Sequence, residues 1–129
     1  VQERLQAALV AALQARLVPA GVAVFDAPPA RAGRPYAVVD ESVLADWSTK
    51  DCAGREGRIG VLLYDRGERP VRLRGLTGVA EAAIETMPGD LGSGWRLIGA
   101  VLARSRIVRQ AEDGWMAISE FQVRMLRTQ

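Results

Sequence analysis

The chain has 129 residues, 49% of them hydrophobic and 25% charged, with 17 basic residues against 15 acidic ones for a net charge of +2. That length predicts a single domain over residues 1–129, and a charge so near balance does not read as a dedicated nucleic-acid binder. There is no histidine and one cysteine, Cys52, which excludes Ser-His-Asp and Cys-His catalysis, histidine general bases, an intramolecular disulfide and a cysteine metal cluster; no metal and no cofactor are expected.

Residues 2–17 place Leu5, Leu9, Leu13 and Leu17 on one helical stripe, and Pro19 and Gly21 stop that helix. Glu3, Arg4 and Arg16 interrupt it, so it does not read as a signal peptide. No run approaches the ~18 apolar residues of a membrane span, and no membrane contact is expected. Val22 to Asp26 reads as a short strand. Residues 27–35 carry three prolines and form a loop. Residues 36–45, opening Tyr-Ala-Val-Val, read as a strand, and residues 46–54 are polar and turn-rich around Trp47.

A long strand follows from Arg55 to Asp65. Between Ile59 and Tyr64 it is apolar at both parities apart from Gly60, which predicts cover on both faces. Asp65–Arg69 is a loop, and Pro70 suits the first turn of a second helix. In that helix Leu73, Leu76, Val79, Ala80, Ala83, Ile84 and Met87 follow helical spacing. Gly75 and Gly78 each cost about 1 kcal/mol in a helix interior, so a close backbone approach or a later helix start is expected there. Met87 to Gly94 is a glycine-rich loop. Residues 95–110 and 115–127 are two long strands around an Asp113-Gly114 hairpin signal. On the last strand Trp115, Ala117, Phe121, Val123 and Met125 share one face, and Met116, Ile118, Glu120, Gln122 and Arg124 share the other. The sum is an α+β domain, a mostly antiparallel sheet with two helices packed on one face, in the order α-β-β-β-α-β-β.

Asp46-Trp47-Ser48-Thr49-Lys50 is the most distinctive segment. It reads as a recognition loop with Trp47 as anchor, or as a local cap with Trp47 folded onto its own domain; the residues alone leave both open. Cys52 has no histidine to activate it and acidic Asp51 beside it, so it reads as an incidental thiol. Gly89, Gly92 and Gly94 fit neither a Walker A nor a GxGxxG spacing. Asp40 and Glu41 point to opposite faces of a strand and cannot form a catalytic dyad; with Asp46 and Glu56 they read as solvated or ion-paired surface. Arg104 and Arg106 share a strand face with Arg124 across the sheet. They read as a basic stripe towards a partner or a nucleic-acid phosphate, or as ion pairs with Glu112, Glu120 and similar neighbours, the ion pairs being favoured over DNA.

Several segments resemble the tail-completion family of long-tailed phages, which contains tail terminators. They are the Leu-rich opening helix, Arg34-Pro35-Tyr36-Ala37-Val38-Val39, Asp46-Trp47-Ser48-Thr49-Lys50 with Gly54-Arg55-Glu56, and Leu63-Tyr64-Asp65. The Ala-rich second helix, Trp95-Arg96-Leu97, and Asp113-Gly114 with Phe121-Gln122-Val123-Arg124 complete the set. The chain is also similar to the version found in alphaproteobacterial gene transfer agents. The resemblance implies a structural virion protein and no enzyme. It implies a homo-oligomeric ring, a hexamer, made in the bacterial cytoplasm and placed at the head-proximal end of the tail, where it stops tail-tube polymerisation. The partners implied are the tail-tube protein and a head-tail connector or stopper, with DNA only as passing cargo in the lumen. Asp46, Trp47, Ser48, Thr49, Lys50, Arg55 and Glu56 are then the candidate interface to a neighbouring subunit or the tube. The alternatives are another neck ring, such as a head-tail stopper, and a soluble ligand-binding or regulatory α+β module with an apolar pocket.

Overall fold

The computed structural model describes residues 1–128. Helix α1 (Gln2–Leu17) runs into a 3-10 turn (Val18–Ala20) and four strands, β1 (Ala23–Phe25), β2 (Tyr36–Val39), β3 (Val43–Asp46) and β4 (Ala53–Arg66). Helix α2 (Val71–Glu85) then leads to β5 (Asp90–Gly92), β6 (Trp95–Arg109) and β7 (Gly114–Arg127). All seven strands lie in one sheet of order β1-β2-β4-β7-β6-β5, with β3 beside β4 on the same side as β2. Every pairing is antiparallel except β1 with β2. Both helices pack on one face, which is the expected α+β architecture. Neither helix is long and apolar enough to cross a membrane.

Leucine spacing decides where α1 goes. Leu5, Leu9, Leu13 and Leu17 are fully buried, four residues apart on one stripe. Pro19 tightens the exit into the 3-10 turn, and Gly21, at φ 83°, closes it by donating its N–H to the Val18 carbonyl. The stripe meets Ile59, Val61 and Leu63 of β4 and Ala117, Phe121, Val123 and Met125 of β7 in one apolar core. Along β7 the expected alternation holds, and Ser119, on the same face, is also buried.

The expected strand 36–45 is broken in two. β2 pairs Val39 with Val61, while β3 pairs Val43 with Arg58, so three residues, 40–42, face two on β4. This one-residue bulge flips the parity: Leu44 turns towards the core and Val43 towards the opposite face. Helix α1 anchors the bulge. Gln6 donates to the Asp40 carbonyl (3.3 Å) and the Asp26 carboxylate (3.0 Å), and Gln2 donates to the Ser42 carbonyl (3.1 Å).

Three further expectations are corrected. Gly75 and Gly78 mark neither a close approach nor a helix start: α2 runs through them, and a Cβ at either would meet nothing within 4 Å. They sit on the solvent side with Val79, which is 37% exposed, while Thr77 takes a buried place and bonds the Leu73 carbonyl (2.8 Å); Met87 lies beyond the helix end. The glycine-rich segment 87–94 contains the short strand β5, an edge partner for the start of β6. The β6–β7 hairpin falls where Asp113-Gly114 placed it, but the residue that takes positive φ is Glu112, at 63°.

The cover expected on both faces of β4 is also absent among the described residues. Ile59, Val61 and Leu63 are sealed by the helices. Leu62 and Tyr64 are half-buried, with Tyr64 stacked on Tyr36 at a centroid distance of 4.8 Å and Phe25 edge-on to Tyr36 at 6.0 Å. The second face is covered by its own side chains and not by another layer.

Candidate functional site

The segment 46–56 is a hairpin between β3 and β4 whose polar side chains serve its own backbone. The Ser48 hydroxyl donates to the Asp46 carboxylate (2.6 Å) and accepts the Gly54 N–H (3.0 Å). The Thr49 hydroxyl accepts the Cys52 N–H (3.1 Å) and the Asp51 N–H (3.3 Å). Arg55 reaches the Asp46 carboxylate at 3.3 Å. The Ser48 hydroxyl, its N–H and the Arg55 charge together hold the Asp46 carboxyl below its ordinary value. Gly54 is required here: a Cβ would lie 2.5 Å from the Trp47 carbonyl oxygen.

Trp47 is half-buried, with the Arg124 guanidinium 5.0 Å from its ring centroid, a cation–π contact worth about 0.5–1 kcal/mol at an exposed site. Arg124 also donates to Glu56 (3.2 Å). The hairpin therefore brings Asp46, Ser48 and Arg55 into one cluster and Trp47, Glu56 and, across the sheet, Arg124 into a second. Lys50 is exposed and joins neither. The internal bonding is what a local cap requires, and it leaves part of Trp47 and all of Lys50 exposed. Arg124 in this cluster was not among the residues singled out for the hairpin; the signal was its position on the mixed face of β7.

Ion pairs continue along the helix-free face. Glu120 on β7 accepts from Arg104 of β6 (2.6 Å) and lies 3.9 Å from Arg58 of β4. The Arg104 hydrogen bond, helped by the Arg104, Arg58 and Arg106 charges, lowers the Glu120 carboxyl below its ordinary value. The expected pairing is thus found for Arg104 at Glu120 and for Arg124 at Glu56, while Arg106 on the same face makes no ion pair among the described residues. Glu112, named as a partner beforehand, sits at the hairpin tip and makes no ion pair among the described residues, because the turn carries it away from the face.

The same face carries exposed apolar residues that sequence reasoning had not singled out. Val43 is 73% exposed on β3, and Val101 and Ile98 are 65% and 54% exposed on β6. A signal existed in the apolar run Leu97-Ile98-Gly99-Ala100-Val101-Leu102, which is apolar at both parities. An open groove of about 480 Å³ lies beside β3 on this face, lined by residues including Asp40, Glu41, Val43, Glu56, Leu62 and Ile118. The groove is open to solvent, and Arg58 stands among its carboxylates. Among the described residues there is no cluster of three metal-ligating side chains.

The sequence pattern of the family described as tail completion protein gp17 matches residues 3–126, nearly the whole chain. The chain belongs to this family. A chain of the solved virion of a native gene transfer agent particle shares the fold, with a TM-score of 0.78 and 24% identity over 95% of this chain and 94% of that one. Comparison with curated proteins finds no match. As a tail-completion protein, the chain is a structural component of a phage-type tail.

Proposed function

We propose that this protein is a tail terminator: a single-domain subunit of a ring, a hexamer, that ends the tail tube and joins it to the head connector or stopper of a gene-transfer-agent-like particle. The observation that carries this reading is a sheet left bare on one face and open at its edges in a tail-completion fold. A cyclic assembly satisfies the edges through contacts that close on themselves and leaves the bare face as one wall of the ring. Capping a tube requires a ring that matches the last tube ring on one side and mismatches another on the other side, and no catalysis. The hairpin from Asp46 to Lys50, with Arg55 and Glu56, is the proposed contact to a neighbouring subunit or the tube, with Trp47 at its centre.

DNA passes such a ring as cargo, and a lumen that gripped phosphates would slow it. The engagement of Arg58, Arg104 and Arg124 by Glu120 and Glu56 supports a surface with reduced phosphate affinity, with Arg106 left as the unpaired charge of the stripe among the described residues. The test is negative-stain electron microscopy of the protein alone and with tail-tube protein. Rings, or caps confined to one end of each tube, are the expected result. Absence of both rings and tube binding defeats the reading. Trp47→Ala is expected to weaken assembly by about 2 kcal/mol or more, as removal of an interface anchor does; unchanged assembly removes Trp47 from the interface.

A further inference from the structure

Besides the outer edges of the three-residue strands β1 and β5, two longer strand edges are left without partners among the described residues. β5 occupies only the start of β6, at Trp95 and Arg96, and the Gly89 carbonyl takes the Leu97 N–H. From Ile98 to Arg109 the outer edge of β6 has no ladder partner. At the opposite side of the sheet, β3 pairs with β4 alone. Unpaired strand edges of this length are templates for another strand.

The two edges are complementary in four respects. Their charges are opposite: β6 carries Arg96, Arg104, Arg106 and Arg109 with no acid, whereas Asp40 to Asp46 carries three acids and no base. Their lengths match: bulges at Leu97/Gly99 and Leu102/Arg104 leave a regular stretch Gly99–Leu102 on β6, four residues opposite the four of β3. Their exposed valines lie on one face, because Val43 is opposite Arg58 and Val101 opposite Gln122, both on the helix-free side. Their directions agree. β6 and β4 are each antiparallel to β7, so they run the same way, and β3 runs against β4. Rotation about an axis along the strands therefore sets β3 of the next copy antiparallel to β6.

We infer that the ring closes by β-augmentation, the open edge of β6 in one copy pairing antiparallel with β3 of the next, Val101 opposite Val43 and Arg104 beside Asp40 and Glu41. This continues the sheet from copy to copy with the helices on one side throughout. The contact is heterologous, so it propagates head to tail and closes on itself in a ring. The α1 glutamines that anchor the bulge at residues 40–42 acquire a purpose: they set which side chains of β3 face the neighbour. The inference rests on the ring reading above.

Oxidative cross-linking tests it. In a Cys52→Ser background, Val43→Cys and Val101→Cys are made singly and together, with Ala45→Cys plus Val101→Cys as the register control. All three positions are exposed or half-exposed, so folding is not at stake. The chains are oxidised under the conditions in which rings are seen, alone or with tail-tube protein. Directly opposed antiparallel residues fall within disulfide reach. The expected result is a ladder of linked copies on a non-reducing gel for the Val43/Val101 pair and none for either single variant. Rings without that ladder, or a ladder only from the Ala45 control, overturn this edge pairing while the terminator reading stands. No rings under any condition overturns both.

Discussion

The two faces of the sheet are built on different rules. Under the helices, Leu5, Leu9, Leu13 and Phe121 are fully buried, and the interactions are apolar packing with few polar atoms to satisfy. On the bare face, Glu120, Arg104, Arg58, Glu56 and Arg124 form exposed pairs among valines that nothing covers. Exposed ion pairs stabilise a monomer by little, so the bare face adds little to folding and is free to be shaped by contacts between chains. The covered face holds the chain together, and the bare face is, in the proposed ring, the one it presents.

That contrast is sharpest at Phe121. Phe121→Ala empties a site with no access to water and is expected to cost about 3–5 kcal/mol, read as a loss in the denaturant midpoint. Substitutions at Val43 or Val101 on the other face are expected to leave that midpoint nearly unchanged while altering assembly. A large stability loss at either valine would break the comparison.

Asp65 gives a smaller effect, and one that depends on pH. It is buried at the end of β4 and takes two hydrogen bonds from Arg72, at 2.9 and 2.5 Å, and one from the Arg66 N–H at 2.8 Å. Burial alone would raise its pKa, but the Arg72 and Arg66 bonds and the Arg72 charge outweigh it, and the carboxyl lies below its ordinary value of 3.8. A lowered pKa means the folded state favours the ionised form. The stabilisation is complete above the ordinary value and is lost as pH falls through the folded value. Asp65→Asn is expected to cost about 1–2 kcal/mol near neutrality, the lower part of the range for bonds to a charged group because Arg72 is exposed. It should also flatten the acid limb of stability below about pH 4. An unchanged acid limb would mean that other carboxylates set it.

The smallest effects are expected on α2. Gly75→Ala and Gly78→Ala should each stabilise the chain by up to about 1 kcal/mol, since a methyl group at either meets nothing and glycine is the poorer helix former. Thermal unfolding measures this. If stability rises but ring formation falls, the outer face of α2 belongs to the assembly surface as well.

Much of the fold was legible because it depends on local periodicity. The leucine stripe of α1, its stop at Pro19 and Gly21, the alternation of β7 and the position of the final hairpin all follow from short-range chemistry that any neighbourhood would respect. The self-contained bonding of Ser48 and Thr49 was half legible: the residue types announced a turn, but whether they served their own backbone or another chain depended on how Gly54 closes the loop. Gly75 and Gly78 misled because sequence reports the helical cost of glycine without showing whether anything lies beside it.

By itself, then, the sequence determined the two helices, the long strands, the absence of histidine chemistry and the inward face of β7, since each depends on residue type and spacing within one segment. Only the tertiary structure decided that residues 40–42 form a bulge, that Val43 therefore faces outward, that Arg124 lies over Trp47 and that β6 and β3 are left as open edges of opposite charge. These depend on register between strands far apart in the chain. A one-residue shift there moves a side chain to the other face, and nothing local to either strand records it.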